Sequence, residues 1–393
     1  MFQYIVRRIV QFIPVFFGVT LILFLVTTIL PGDPVQMKVG EKHLSPQVHA
    51  QLLKAYGLDQ PWYVQYAKYL SALSPFHVAF YGGTPASGDT TSTRSEIGHV
   101  LVVVPIVSGD PPAGPVTITR SDGNSYTWGA IAHVNVAAFS FVVDPPDLGQ
   151  SIATGQSVVG IIGDTYPYSV RLAFAAIFLE MIFGIGAGII SAVKQFTFWD
   201  VLVTVSTAVL VSLPVFWLGI LLQFVFGIWL KEVTNGAFYL PVSGVSGEFG
   251  PAAYLILPAV TLAAVSTAYV ARIMRSQLLE VQSQDYVRTA YAKGLSGRSV
   301  LMRHQMKNAL IPVITFIGLD LGALLSGAIL TETVFNIPGI GYATYRAILA
   351  RDFPVVFGCT IVILLVVMVV NLVVDISYAF LDPRIRYGNA GKE

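Results

Sequence analysis

Residues 280–312 read EVQSQDYVRTAYAKGLSGRSVLMRHQMKNALIP, a polar stretch set between two long apolar runs. Its lysines and arginines, with two arginines at the end of the apolar run before it, are Arg272, Arg275, Arg288, Lys293, Arg298, Arg303 and Lys307. Such a basic cluster beside hydrophobic spans is typical of the cytoplasmic side of a membrane protein. The stretch therefore predicts a membrane protein whose helices reach the cytoplasm here.

Residues 285–293 are predicted to form a short helix within this stretch. They contain no Pro or Gly, begin with Asp285, end with Lys293, and are followed by Gly294 as a stop signal. A short isolated helix is marginal in water. We therefore expect this helix to pack on another surface.

The same residues resemble the cytoplasmic coupling loop of binding-protein-dependent ABC importers, in particular of the dipeptide/oligopeptide/nickel permease group. Ala290 and Gly294 match the second alanine and the glycine of the EAA signature, and Pro312 matches its closing proline. Arg288 and Thr289 stand where that signature has Glu and its first Ala, and 18 residues separate Gly294 from Pro312, more than in the general pattern. The peptide subgroup is similar in both respects.

The composition excludes a soluble domain. Apolar residues make up 54% and charged residues 11% of the chain, against roughly 45–50% and 25% in soluble proteins. The single cysteine, Cys359, rules out an intrachain disulfide, and no Gly-x-x-x-x-Gly-Lys-Ser/Thr sequence occurs. If transport uses ATP, another polypeptide must bind it, and the net charge of +1 gives no reason to expect nucleic acid as a partner.

Six apolar runs can cross the roughly 30 Å hydrocarbon core at about 1.5 Å per residue. They are residues 9–30, 170–193, 201–230, 252–274, 310–331 and 355–380. The first run follows Arg7 and Arg8 and lacks a cleavage site, so we expect it to be retained. With both termini cytoplasmic, the inner pieces hold 13 lysines and arginines and the two short outer loops hold three; the long outer loop is left out of this comparison. The sequence thus predicts an all-α membrane protein with six transmembrane helices.

Glycine and proline inside these runs have predicted roles in packing. Gly184, Gly186 and Gly188 in the second run would let a neighbouring helix approach closely. Pro214 can kink the third run.

Between about residues 75 and 147 the composition changes, and a small β-rich extracytoplasmic insertion is predicted there. Its β-branched or alternating segments are residues 99–107, 116–120, 126–136 and 138–143, separated by turn residues such as Ser121-Asp122-Gly123-Asn124. Two interpretations remain open: a cap or spacer on a tolerated long loop, or a docking surface for a partner.

Five further blocks resemble the same permease group in the same order along the chain. They are residues 1–20, 30–34, 56–61, 331–341 and 381–386. The resemblance implies the type I ABC importer permease fold. It divides the chain into a first portion at 1–31, an extracytoplasmic region at 32–166, a permease core at 167–386 with its coupling loop at 276–309, and a tail at 387–393.

The resemblance also implies partners in the cytoplasmic (inner) membrane of a prokaryote. These are the lipid bilayer, a second permease subunit, two ATPase subunits that hold ATP and Mg, and an extracytoplasmic solute-binding protein; this chain itself would hold no cofactor and be no enzyme. The residues expected to couple to the ATPase are Asp285, Tyr286, Arg288, Thr289, Ala290, Lys293, Gly294, Leu295 and Pro312. Dipeptides or oligopeptides are the expected substrates, with nickel, haem or glutathione as alternatives within the group. An ATP-independent secondary transporter, and a membrane scaffold whose outer module is the active part, are alternatives of other classes.

Charges within the predicted spans have two interpretations. Glu180, Asp320, Asp375 and Arg171 lie in or near the ends of spans, where an ionisable group must face protein or water. Glu180 and Asp320 form either a polar or proton-coupled pathway or helix–helix hydrogen bonds. A secondary transporter would need more such groups in matched halves, and no internal duplication is visible. No catalytic constellation is found, and the isolated His43 and His49 do not predict a metal site.

Overall fold

The computed structural model describes residues 2–29, 47, 60–73, 76–80, 116–119, 125–128, 134–136, 139–143, 148–247 and 249–381. Several predicted features therefore lie outside the described residues. They are the break at 30–34, most of the block at 56–61, the segment at 99–107, and almost all of the block at 381–386 with the tail that follows it.

Helices dominate the described residues. Labelled in chain order, they are α1 Phe2–Ile29, α2 Trp62–Leu73, α3 Val158–Val193, α4 Phe198–Ser212, α5 Val215–Leu222, α6 Leu230–Val233, α7 Ala253–Gln282, α8 Asp285–Ala292, α9 Gly297–Val300, α10 Met306–Leu325, α11 Ile329–Val334, α12 Ile340–Leu349 and α13 Phe353–Leu381. Two π-helical turns, Gln223–Trp229 and Leu301–Gln305, join α5 to α6 and α9 to α10.

Among the described residues, six helical segments are long and apolar enough to cross a membrane, which confirms the predicted number. They are Val6–Val26, Val158–Val193, Val215–Val233, Ala253–Gln282, Gly297–Leu325 and Phe353–Ser377. The second begins well before the predicted start at residue 170, because the helix continues through Pro167 instead of starting after it.

The third predicted span, residues 201–230, is wrong as one continuous helix. The chain leaves helical geometry at Leu213, whose ψ is 132°, and resumes it after Pro214. Proline disfavours helical geometry in the residue before it. The long apolar segment is therefore Val215–Val233, and α4 is a separate, shorter apolar helix.

The fifth predicted span, residues 310–331, is too long at its far end. Helix α10 ends at Leu325, and Gly327 has a φ of +93°, which favours glycine. A Cβ on Gly327 would lie 3.0 Å from the backbone nitrogen of Gly341. This close turn starts the separate helix α11.

Helices α3 and α7 approach each other at glycine positions. A Cβ on Gly184 would lie 2.7 Å from Val270 Cγ1, and one on Gly188 would lie 2.6 Å from Met274 Cβ. No atom lies within 4 Å of a Cβ at Gly186. The predicted role in close helix packing is thus confirmed for Gly184 and Gly188.

The chain divides into two compact units, one made of Met1–Gly18 and Ala153–Glu393 and the other of Val19–Ile152. The second unit holds the strands β1 Phe76–Phe80, β2 Val116–Thr119, β3 Ser125–Trp128, β4 Val134–Val136 and β5 Phe139–Val143. Antiparallel pairing gives one sheet in the order β1-β5-β4 and a β2-β3 pair. These strands fall in the region for which the sequence predicts β structure.

Candidate coupling site

The basic segment, residues 276–309, contains the predicted short helix as α8. It begins after Gln284, whose backbone is extended, and has Asp285 in its first turn. It ends at Ala292, and Gly294 follows with a φ of +78° and an N–H that donates to the Tyr291 carbonyl at 2.9 Å. A glycine in the left-handed region is a common helix terminator. The predicted helix and its stop signal are confirmed, with the helix ending one residue earlier than predicted.

One face of α8 is packed inward. Val287 is fully buried and Ala290 is buried, and both belong to the core cluster that includes Val281, Val300 and Ala309. Small and branched apolar side chains on one face of a short helix supply the surface contact that such a helix needs. Helix α8 is therefore held by α7 and by the start of α10.

A hydrogen bond also ties α8 to α10. The Asn308 side-chain amide donates to the Tyr286 hydroxyl at 2.7 Å, on the exposed side of the segment. Pro312 lies one turn beyond Asn308 and inside α10, which continues through it. The bond fixes how the exposed edge of α8 is oriented relative to α10.

The outward face of α8 combines charged and aromatic side chains. Tyr286, Tyr291 and Leu295 are 41%, 46% and 39% exposed. Asp285 and Arg288 are more exposed still, and the 3.8 Å contact between their charged groups contributes little at such exposure. Thr289, Lys293 and Gly294 are exposed as well. A mixed charged and aromatic surface of this kind suits docking to another protein.

An ion pair joins α7 to α4 ten residues before α8 begins. Arg275 contacts the Asp200 carboxylate through Nε at 2.9 Å and through NH2 at 3.0 Å. The carboxylate also accepts a hydrogen bond from the Ser191 hydroxyl and one from the Phe196 N–H. The Arg275 guanidinium, helped by these two donors, holds the pKa of Asp200 well below its usual range. Asp200 could not be singled out from the sequence, because nothing in its local pattern shows which helix faces it.

The two acids predicted inside the spans come together. Glu180 on α3 is fully buried, and neither of its carboxylate oxygens has a hydrogen-bond partner among the described residues. The Asp320 carboxyl on α10 is the charged group that interacts with it, and one Asp320 oxygen is likewise buried without a partner. The other two predicted charges differ: Asp375 pairs with Arg8 at 3.1 Å, and Arg171 lies 5.6 Å from the Tyr168 ring.

The segment at residues 326–352, here called the Glu332 segment, folds around an acid that the sequence analysis missed. Glu332 is fully buried and accepts hydrogen bonds from the Ser169 hydroxyl at 2.6 Å and the Tyr342 N–H at 2.8 Å. Burial raises its pKa, and these hydrogen bonds oppose that rise. A Cβ on Gly339 would lie 2.4 Å from the Glu332 carboxylate, so a side chain at this position would clash with the acid. The glycines of the motif at 331–341 were therefore the feature of the sequence that could have indicated this close packing.

The Glu332 segment is also linked to the third span. The Gln223 side chain, in the π-helical turn, donates to the Val334 carbonyl at 3.0 Å and to the Val242 carbonyl at 2.7 Å. The Gly244 N–H donates to the Phe335 carbonyl at 3.0 Å. These bonds fasten the 240–244 loop to the motif.

Within the described residues, no group of three or more His, Cys, Asp or Glu side chains could hold a metal.

Comparison with known proteins gives a consistent result. Residues 184–387 match the family model for binding-protein-dependent transport system inner membrane components, and residues 1–87 match the model for the N-terminal part of such components. The di/tripeptide transport system permease protein of Pseudomonas aeruginosa is 34% identical over 98% of this chain and 99% of its own length. The dipeptide transport system permease protein of Escherichia coli K12 is 31% identical over 98% and 99%.

Among solved structures, a methionine ABC transporter in an inward-facing conformation aligns with 57% of this chain and 97% of its own chain. The TM-score is 0.46 and the sequence identity is 13%.

Proposed function

This chain belongs to the family of binding-protein-dependent transport system inner membrane components, and we propose that α8 couples it to ATP hydrolysis on partner subunits. It is a multi-pass inner-membrane protein and a permease subunit of an ABC importer. Its relatives are named for dipeptide transport, and dipeptides are therefore the substrates that we assign to it. The construction of α8, with a buried inner face and an exposed charged and aromatic outer face, supports the coupling role most directly.

The proposed assembly has a second, homologous permease subunit, two ATPase subunits and an extracytoplasmic solute-binding protein. The ATPase subunits would hold ATP and Mg, since this sequence contains no phosphate-binding loop and the chain would be no enzyme by itself. Both termini and the basic segment would face the cytoplasm, in keeping with the distribution of lysine and arginine. The β-rich region would then lie outside the cell.

In the proposed mechanism, α8 lies in a groove on one ATPase subunit, as helices commonly do in protein recognition. Arg288, Lys293, Tyr286 and Tyr291 would contact the groove. Closure of the ATPases would move α8, and its buried face would pass that movement to α7. The Arg275–Asp200 contact would carry it on to α4, so that the spans alternate between inward-open and outward-open states.

Site-directed cross-linking tests the contact. Arg288→Cys in the assembled importer should form a cross-link to an ATPase subunit with a short bifunctional reagent. The control is Lys231→Cys, which is exposed on α6 at the far end of the third span and should not cross-link to the ATPase. The single native cysteine, Cys359, is fully buried and gives little background. If Arg288→Cys forms no cross-link to an ATPase subunit in a complex that still transports, the coupling role is contradicted.

Uptake into proteoliposomes tests the substrate. With ATPases and the binding protein present, a labelled dipeptide should accumulate only when ATP is supplied. ATP-driven uptake of nickel, haem or glutathione in place of dipeptides would overturn the substrate assignment and leave the coupling role standing. Uptake that needs no ATP would contradict the importer mechanism itself.

A further inference from the structure

Four acids near the spans of the first unit have donors that compensate their charge. Asp200 has Arg275, Asp375 has Arg8, and Glu332 accepts from Ser169 and from backbone N–H groups. Asp352 is buried and accepts from the Ala153 N–H at 3.4 Å. A buried carboxylate is stable only with such partners.

The pair formed by Glu180 and Asp320 lacks this compensation. Both Glu180 oxygens and one Asp320 oxygen are buried without a hydrogen-bond donor among the described residues. Glu180 is fully buried, and the group that faces it is another acid. Two carboxylates that face each other away from water cannot both remain ionised.

Among the described residues of α7, neither basic side chain takes the place of a proton at this pair. On α7, Arg275 is engaged by Asp200, and Arg272 is exposed. The Tyr269 ring on α7 lies 6.1 Å from Phe316 and is partly exposed.

Helix α13 presents apolar and amide groups to this part of α10. Val374 lies against Gly318, and Val370 and the Asn371 amide oxygen lie against Gly322, so α13 contacts α10 through uncharged groups two residues before and two residues after Asp320. The acid on α13, Asp375, is paired with Arg8.

We propose that Glu180 and Asp320 form a proton-binding site that holds one proton between the two carboxyl groups. One carboxylic acid then donates its O–H to the other carboxylate, and the pair carries a single negative charge. The shared proton converts a repulsive contact between α3 and α10 into a hydrogen bond. Loss of that proton places two like charges together inside the bundle, so the packing of these helices depends on pH. The site is independent of which solute the protein transports.

Infrared difference spectroscopy on the full chain in lipid nanodiscs tests the site. At neutral pH the wild type should show a carboxylic-acid carbonyl band that shifts in deuterated water. The band should be lost in Glu180→Gln and kept in Asp375→Asn, a matched change at an ion-paired acid. Glu332→Gln identifies any contribution from that second buried acid. A wild-type spectrum without a band that depends on Glu180 would overturn the proposal.

Thermal unfolding across pH gives a second test. Raising the pH from about 5 to well above neutral should lower the melting temperature of the wild type by several degrees more than that of Glu180→Gln, because the unfolded acid is already ionised over this range while the Gln amide can donate to Asp320 at any pH. Should Glu180→Gln fail to fold, Asp320→Asn changes the less buried member and must show the same loss of pH dependence. A melting temperature that follows sodium or potassium concentration, with both acids ionised, would show a cation site and refute the proton site.

Discussion

The basic segment and the Glu332 segment both interrupt the apolar helices, and they use their polar side chains in opposite ways. In the basic segment the charges of Arg288 and Lys293 point outward, and the buried side chains are apolar, as at Val287, except for the uncharged Gln305. In the Glu332 segment the two acids, Glu332 and Asp352, are buried, the backbone of the motif contacts the Glu332 carboxylate, and of the charged side chains only the arginines are exposed. The exposed charges of the basic segment are available to bind another molecule, whereas the buried Glu332 stabilises the fold of its own segment.

This difference predicts how substitutions behave. An exposed charge contributes little to folding, because water already solvates it. A buried charge with several donors cannot be removed without leaving those donors unsatisfied. Substitutions in the Glu332 segment should therefore lower mainly the stability of the fold, and substitutions in the basic segment should lower mainly the coupling of transport to ATP hydrolysis.

The largest loss of stability is expected for Glu332→Ala. The change leaves the Ser169 hydroxyl and the Tyr342 N–H without their acceptor and opens a cavity, at a cost of about 3 kcal/mol in the free energy of unfolding. Thermal unfolding in nanodiscs measures it. The matched control is Thr333→Ala, whose hydroxyl bonds only to its own helix at Ile329. Equal melting temperatures for the two variants would show that Glu332 does not hold the segment.

A smaller loss is expected for Arg275→Gln, at the ion pair with Asp200. The buried carboxylate keeps its two other donors, so the change weakens the contact between α7 and α4 without leaving Asp200 bare. Arg272→Gln, an exposed neighbour on α7, is the control and should leave the melting temperature unchanged.

The sign of the pH dependence at this ion pair follows from the lowered pKa of Asp200. Its stabilisation is fully present above the unfolded value of about 3.9 and is lost only as the pH falls through the lower folded value. The difference between Arg275→Gln and wild type should thus stay constant from neutral pH to about pH 5. A penalty that vanishes within this range would indicate that Asp200 is not ionised.

Gly294→Ala should cost about 1 kcal/mol of local stability and lower uptake. No atom lies within 4 Å of a Cβ at this position, so the cost comes from the φ of +78° and not from a clash. Gly297→Ala is a close control, because a Cβ there also meets nothing and its φ is not positive. ATP-driven uptake is measured for both variants, and only Gly294→Ala should show a loss. Unchanged uptake for Gly294→Ala would count against a role for the end of α8.

The smallest change in stability is expected for Arg288→Ala combined with Lys293→Ala. Both side chains are exposed, so the free energy of unfolding should change by less than about 0.5 kcal/mol. Transport should nevertheless fall, with ATP hydrolysis no longer matched to uptake. Lys231→Ala serves as the control and should leave transport intact. A clear loss of stability in the double variant would show that exposed charges of the basic segment also stabilise the fold, which contradicts the predicted difference between the two segments.

The bounds of α8 and the number of apolar spans could be predicted because both depend on local patterns. A glycine stop, an acid at a helix start and a long apolar run each act over a few turns of helix. The break near Ser326 was missed, and the break at Leu213 was predicted only as a kink at Pro214, since the runs remain apolar across both. In an apolar run, hydrophobicity alone does not show where a helix bends or ends.

The sequence by itself determined that this is a membrane protein with six apolar spans, a basic segment and a short glycine-terminated helix, since chain composition and short-range spacing decide these features. Only the tertiary structure decided which charges meet. Glu332 and Ser169 are 163 residues apart, and Arg275 and Asp200 are 75 apart. The pairing of Glu180 with Asp320 likewise follows from the packing of α3 against α10. The partner of a buried charge depends on how distant helices pack, and no periodicity along the chain encodes that choice.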